Sequence, residues 1–176
     1  MQTNFSLKQL VDQTLALAER GKRFTHLGIC PMSEELIRAP IELAMEHDFP
    51  LLFIASRNQV SEDSGGGYVM GLDQQRFLSL IEQMEREVAA NVNGESYLRF
   101  VSVDHCAPWY KEREKALGEA EAMASVKKTF SACIEAGYAG IHVDCSFPPP
   151  SHVEMDEVKM AKMTADLVEF AESQRQ

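Results

Sequence analysis

Tyr97-Leu98-Arg99-Phe100-Val101-Ser102-Val103-Asp104-His105 is a largely apolar run of strand length, Tyr97 to Val103, that stops at an acid and an imidazole. A polar excursion to Leu117 follows, then a helical segment over about Gly118 to Ala136. On that segment Ala122, Val126, Phe130 and Cys133 line one face. Gly137 is placed to stop it, since glycine accepts the left-handed conformation on which many helices end. Strand, polar turn and amphipathic helix make one unit, and reading outward in both directions finds that unit again.

Upstream, Pro50 to Ser56 is a second apolar run. Its loop, Arg57 to Leu72, carries Gly65-Gly66-Gly67, and the helix Asp73 to Asn91 sets Phe77, Leu80, Ile81, Met84 and Val88 on one stripe. Before it come a strand over about Thr25 to Cys30 and a helix capped by Ser33, with Glu34 and Glu35 suiting its positive end. Pro40 inside that helix removes a donor and predicts a kink. A short helix, Ser6 to Arg20, leads in and stops at Gly21. Downstream, Gly140 to Cys145 is a fourth strand, broken by Pro148-Pro149-Pro150, and Met155 to Glu172 is the last helix. Apolar residues on more than one face of that helix predict that it is covered on two sides.

Apolar strands joined by helices call for a parallel sheet, because crossover helices are how parallel strands connect. The class is α/β, in four βα units that make one domain over residues 1–176. Periodicity leaves a closed barrel and a doubly wound sheet both open. No GxGxxG follows the first strand and no GxxxxGK[ST] occurs, so the nucleotide signatures of the open alternative are missing.

A net charge of -10 argues against nucleic acid and anionic membrane as partners, since an acidic surface is repelled by both. No apolar run is long enough to span a bilayer, and Met1 to Lys8 lacks the pattern of a leader, so a cytoplasmic protein is expected. Cys30, Cys106, Cys133 and Cys145 form no CxxC pair and are expected to be free thiols.

In parallel α/β folds ligands bind beyond the C-terminal strand ends. Those ends carry Cys30 to Ser33, Ser56-Arg57-Asn58-Gln59, Asp104-His105 and Asp144-Cys145-Ser146. Asp104-His105 is the most specific. Where the backbone turns at a strand's end, both side chains can reach one mouth. Metal-assisted aldol cleavage uses such a pair, an imidazole to hold zinc and a carboxyl to move a proton. The alternative is an Asp that caps the next turn beside a surface His. Asp144 and Ser146 share a face with His142, while Ile141, Val143 and Cys145 face the helices. Asp144 can instead satisfy turn amides, and His142 reads as a hydrogen-bonded core residue. His26, His47 and His152 are expected on the surface. Gly65 to Gly67 lacks a phosphate-loop pattern and is read as a flexible stretch.

Three motifs in order resemble one family: Pro50-Leu51-Leu52 through Asn58-Gln59-Val60 with Gly66-Gly67-Tyr68 and Phe77, then Asp104-His105 with Pro108, then Ala136-Gly137-Tyr138 through Ile141-His142-Val143-Asp144 to Ser146. Over residues 8 to 150 the chain is similar to the non-catalytic subunits of tagatose-bisphosphate aldolase, and Cys30 matches in position. The resemblance implies a TIM barrel akin to class II aldolases, here its N-terminal half behind a short leading helix. It also implies a role in sugar breakdown beside a separate catalytic aldolase subunit. By that analogy Asp104 is the catalytic acid and His105 a zinc ligand, and Ser56, Asn58, Gln59, Asp144 and Ser146 are expected to contact a phosphorylated ketose. Where the family has Glu, His, a Gly pair and Asn, this chain has Ile54, Ser33, Ser102-Val103 and Trp109, changes expected to alter the pocket floor.

The chain ends after the fourth helix, so the ligands that class II aldolases bring from later strands are absent and any zinc set is incomplete. An inner sheet face of about ten side chains would also lie uncovered, which predicts either a fragment of a longer protein or pairing with a second half-barrel in a homo- or hetero-oligomer. Three functions are compatible with these residues: an assisting aldolase subunit, a metal-dependent lyase assembled from two halves, or a non-enzymatic phosphosugar-binding module.

Overall fold

The computed structural model describes residues 5–91, 97–146 and 156–174. The elements run α1 (Leu7–Glu19), β1 (Leu27–Ile29), α2 (Glu35–His47), β2 (Leu51–Ser56), α3 (Gln74–Ala89), β3 (Arg99–Cys106), a 3-10 turn (Glu112–Ala116), α4 (Glu119–Ala136), β4 (Gly140–Val143) and α5 (Glu157–Ser173). Three of the helix starts, those of α1, α3 and α5, are fixed by side-chain caps. Ser6 and Gln9 form a capping box on α1, and the Asp73 and Asp156 carboxylates accept first-turn amides of α3 and α5. Gly137 ends α4 at φ 83°, in the left-handed region. Pro40 lies inside α2, which runs on through it.

The strands are all parallel and lie in the order β1-β2-β3-β4. That order separates the two architectures left open by periodicity. Right-handed crossovers that always step the same way put every helix on one face, whereas a doubly wound sheet reverses direction and has helices on both. The result is half of a (β/α) barrel with a short N-terminal helix.

Burial follows the faces. On β2, Leu51, Phe53 and Ala55 are buried against Ile37, Ile41, Phe77 and Ile81 of α2 and α3, while Leu52 and Ile54 on the other face stay partly exposed. Val103 of β3 packs with Val126, Phe130 and Leu167 of α4 and α5. The inner face is less apolar than expected. Its described positions include Gly28, Ser102, Asp104, Gly140 and His142, with Leu52, Ile54 and Phe100 as the large apolar ones, so the surface a partner would cover mixes polar and apolar side chains.

Two expectations are corrected. α5 is covered on one side: Met163 and Leu167 are buried, but Val158 is 78% exposed and Val168 45%, because α5 rests on α4 and the β4 edge. The glycine run serves close packing. A Cβ on Gly67 would lie 2.1 Å from the Gln59 carbonyl oxygen, and one on Gly66 2.2 Å from that of Gly71. Gly67→Ala is therefore expected to cost about 1–3 kcal/mol, read as a lower denaturation midpoint; an unchanged midpoint would mean the loop packs otherwise.

Candidate metal centre at the barrel mouth

β3 reaches the mouth through a bulge. Val103 pairs with Ile141 and Cys106 with Val143, so three steps along β3 match two along β4, and His105 takes up the extra residue at φ 49°. Histidine is among the side chains that tolerate this left-handed conformation. The bulge reverses the facing of the residues after it. Asp104 lies on the inner face by alternation, His105 joins it, and Cys106 turns back into the helix-side core at 0% exposure. Burial raises the Cys106 thiol to about 12, which leaves it protonated and inert.

Four side chains from two neighbouring strands meet there. His105 Nδ1 lies 3.0 Å from Asp144 Oδ2, His105 Nε2 3.3 Å from Asp104 Oδ2, and His142 Nδ1 2.6 Å from Asp104 Oδ1. Tyr110 stacks on the His105 ring, with centroids 5.7 Å apart and planes 17° off parallel. Ligand atoms of Asp104, His105 and His142 all lie within 4.8 Å of one another, close enough to hold one metal ion.

His142 therefore differs from the expected core histidine. It sits on the inner face of β4 with its side chain 57% exposed, because the face that a full barrel would close is open here. Its face is the one that strand alternation assigns, shared with Asp104 across the ladder; its exposure is what differs.

Asp144 fixes the tautomer of its neighbour. Burial raises its carboxyl, but hydrogen bonds from Ser146 and His105 outweigh that and hold it below the usual carboxylate range. Ionised at neutral pH, it can only accept, so His105 Nδ1 carries the proton. The Ser146 amide and hydroxyl donate to the other oxygen, Oδ1, at 3.1 and 2.5 Å. Glu62 and Asp63 are likewise held low: burial raises both, and the Lys111 ammonium, which reaches them at 2.8 and 3.1 Å, and neighbouring donors more than offset it. A depressed carboxylate stabilises the fold above its unfolded value, and that contribution fades as pH falls through the folded value. Stability should thus decline on acidification from the ordinary 4.5 and 3.8 of such groups downward. A pH series of urea midpoints checks this, and a midpoint that rises on acidification would contradict it.

Sequence reasoning missed a buried ionic network beneath the mouth. Arg57 and Glu114 are both 0% exposed and pair through two bonds of 2.6 and 3.0 Å. Arg57 also donates to the Ala107 carbonyl at 2.5 Å, to Thr129 Oγ1 at 3.0 Å and to Ser125 Oγ at 3.2 Å. All five guanidinium N–H groups thereby find acceptors. Lys111-Glu112-Arg113-Glu114-Lys115 reads as a solvated charge run, and nothing local shows that Glu114 turns inward.

The remaining expected residues divide by depth. Ser56 and Gln59 are nearly buried and bonded to each other, the Ser56 amide donating to Gln59 Oε1 at 2.8 Å. Gln59 Nε2 reaches Cys30 Sγ at 2.8 Å, and Asn58 Nδ2 donates to the Tyr110 carbonyl at 3.4 Å. Trp109 does not line the floor. It is buried on the helix side, with Nε1 donating to the Leu117 carbonyl at 3.1 Å. His26 is bonded to Thr14 at 2.7 Å, His47 is exposed, and His152 and the proline run lie outside the described residues. All four cysteines are free, and no helix among the described residues is long and apolar enough to cross a membrane.

Residues 8–176 match the family model described as D-tagatose-1,6-bisphosphate aldolase subunit GatZ/KbaZ-like. Among solved structures, the chain is similar to a probable tagatose 6 phosphate kinase from Sinorhizobium meliloti 1021, at 26% identity and a TM-score of 0.69. The similarity covers 84% of this chain but 36% of that one, so the chain spans about a third of that protein's length.

Proposed function

Since the chain belongs to the GatZ/KbaZ-like family of D-tagatose-1,6-bisphosphate aldolase subunits, we propose that it is the N-terminal half of a class II aldolase-like barrel. It forms one domain and serves ketose-bisphosphate breakdown in the cytoplasm, where free thiols persist. It assists a catalytic aldolase subunit and does not catalyse alone.

The supporting observation is the pair at the end of β3. With Nδ1 donating to Asp144, His105 presents Nε2 to Asp104 Oδ2 at 3.3 Å. Two acceptors so placed repel unless a positive charge lies on or between them, so the donor set fits a cation. His105 and His142, with Asp104 beside them, would hold zinc, which suits imidazole and, when bound, polarises a ketone carbonyl. Asp144 orients His105 from behind, as carboxylates do for metal-binding histidines.

Asp104 is the proposed catalytic acid, moving the proton at the cleaved C–C bond. One carboxylate does not serve as ligand and proton carrier together. With Asp104 so employed, His105 and His142 are one short of the three protein ligands of a catalytic zinc. The missing ligand then comes from a second half-barrel or the catalytic subunit, which is the chemical reason for an assisting role. Asn58, Asp144 and Ser146 at the mouth, with Ser56 and Gln59 behind, contact the phosphorylated ketose.

Cleavage of tagatose 1,6-bisphosphate should be measured with this chain alone, with a catalytic aldolase subunit alone, and with both. Little turnover alone and a gain in rate or lifetime for the mixture is expected. No effect on any catalytic subunit would contradict the assisting role. His142 favours a second reading, a metal-dependent lyase assembled from two half-barrels. Zinc-dependent turnover by the chain alone, lost in His105→Ala, would establish that instead.

A further inference from the structure

We propose that Arg57 is a positioning residue for the His105 cluster, holding the β3 bulge in the one geometry that brings Asp104, His105 and Asp144 together. The proposal rests on the metal-site reading for its functional meaning but not for its test.

The bulge is tied on both sides from β2. Before it, Ser56 is the ladder partner of Asp104. After it, the next residue of β2's chain, Arg57, donates to the Ala107 carbonyl at 2.5 Å. His105 and Cys106 lie between these two ties. A bulge leaves its extra residue unpaired and disrupts the ladder locally, so that span has weaker strand pairing of its own. Arg57 is itself fixed: Glu114 grips it from the following turn, and Ser125 and Thr129 hold it from α4. Its planar fork makes these bonds at once, which a lysine ammonium with three donors on one atom does not reproduce. The network therefore reaches the cluster through Ala107 without touching it.

A purely structural role and a positioning role differ in what happens while the variant is still folded. Arg57→Lys, and Arg57→Met combined with Glu114→Leu, would be compared with Phe77→Ala, whose cavity lies among the α2 and α3 residues away from the mouth. All are read at a temperature where circular dichroism shows them folded. The first readout is imidazole 15N spectra without metal. Wild type and Phe77→Ala should show His105 protonated at Nδ1, and the Arg57 variants a mixture of tautomers. The second is Co2+ titration, with affinity expected to fall about 10- to 100-fold and the visible spectrum to change in the Arg57 variants alone, the scale seen for outer-shell residues. An unchanged His105 tautomer and Co2+ affinity in either folded Arg57 variant would overturn the proposal, as would an equal loss in Phe77→Ala. Absence of Co2+ binding by wild type would defeat the metal reading, while the tautomer comparison would still decide the role of Arg57.

Discussion

Arg57→Met, with Glu114 left in place, is expected to lower the unfolding free energy by about 3–5 kcal/mol. The reason is the asymmetry of buried charge. A paired ion in the interior roughly balances its desolvation against attraction and hydrogen bonds, but removing one partner leaves the other uncompensated. Glu114 would keep the Ser125 hydroxyl at 2.5 Å and lose both guanidinium bonds, while 0% exposure denies it water. The Ala107 carbonyl and Thr129 would lose a donor as well. Combining Arg57→Met with Glu114→Leu should recover part of the loss, since it removes the stranded charge but not the stranded carbonyl. Urea denaturation of both variants measures this. A loss under about 1 kcal/mol for Arg57→Met would show that water reaches Glu114 and that the pair is not buried.

His105→Ala is expected to reduce divalent-metal affinity more than any other single replacement at the mouth, by more than about 100-fold. It removes a ligand and the imidazole that joins Asp104 to Asp144. His142→Ala should also weaken binding strongly, while Asp144→Asn should cost about 10- to 100-fold, because asparagine still accepts from Nδ1 but no longer raises the basicity of Nε2. Zinc competition against a chromophoric chelator at neutral pH gives the series. Equal affinities for wild type and His105→Ala would place any metal elsewhere.

How much of this is legible in the sequence depends on the range of the physics. The strand-turn-helix units are local, and their order and type are as periodicity and capping residues indicate, with ends differing by a few residues. β1 is shorter than Thr25 to Cys30, as befits an edge strand paired on one side, and β3 runs past Val103 to Cys106 because it is paired on both. Asp104, His105 and Asp144 stand out as polar groups at strand ends and do meet. The bulge that makes them meet is invisible, since a single left-handed histidine leaves no pattern. His142 takes the face that alternation gives it but is exposed and not in a core, because nothing in the four units closes over that face. Arg57 and Glu114 lie 57 positions apart in the chain, and their burial depends on packing between β2's loop and α4 that no local window contains.

The proposed function requires the ends of β3 and β4 to form one cation site. Crystals soaked in zinc and measured on both sides of the zinc absorption edge test it most directly. An anomalous peak is expected at bonding distance, about 2.0–2.2 Å, from His105 Nε2, with Asp104 and His142 around it and Asp144 still bonded to Nδ1. A zinc-soaked crystal with no peak there, or with His105 turned away from both aspartates, would contradict it.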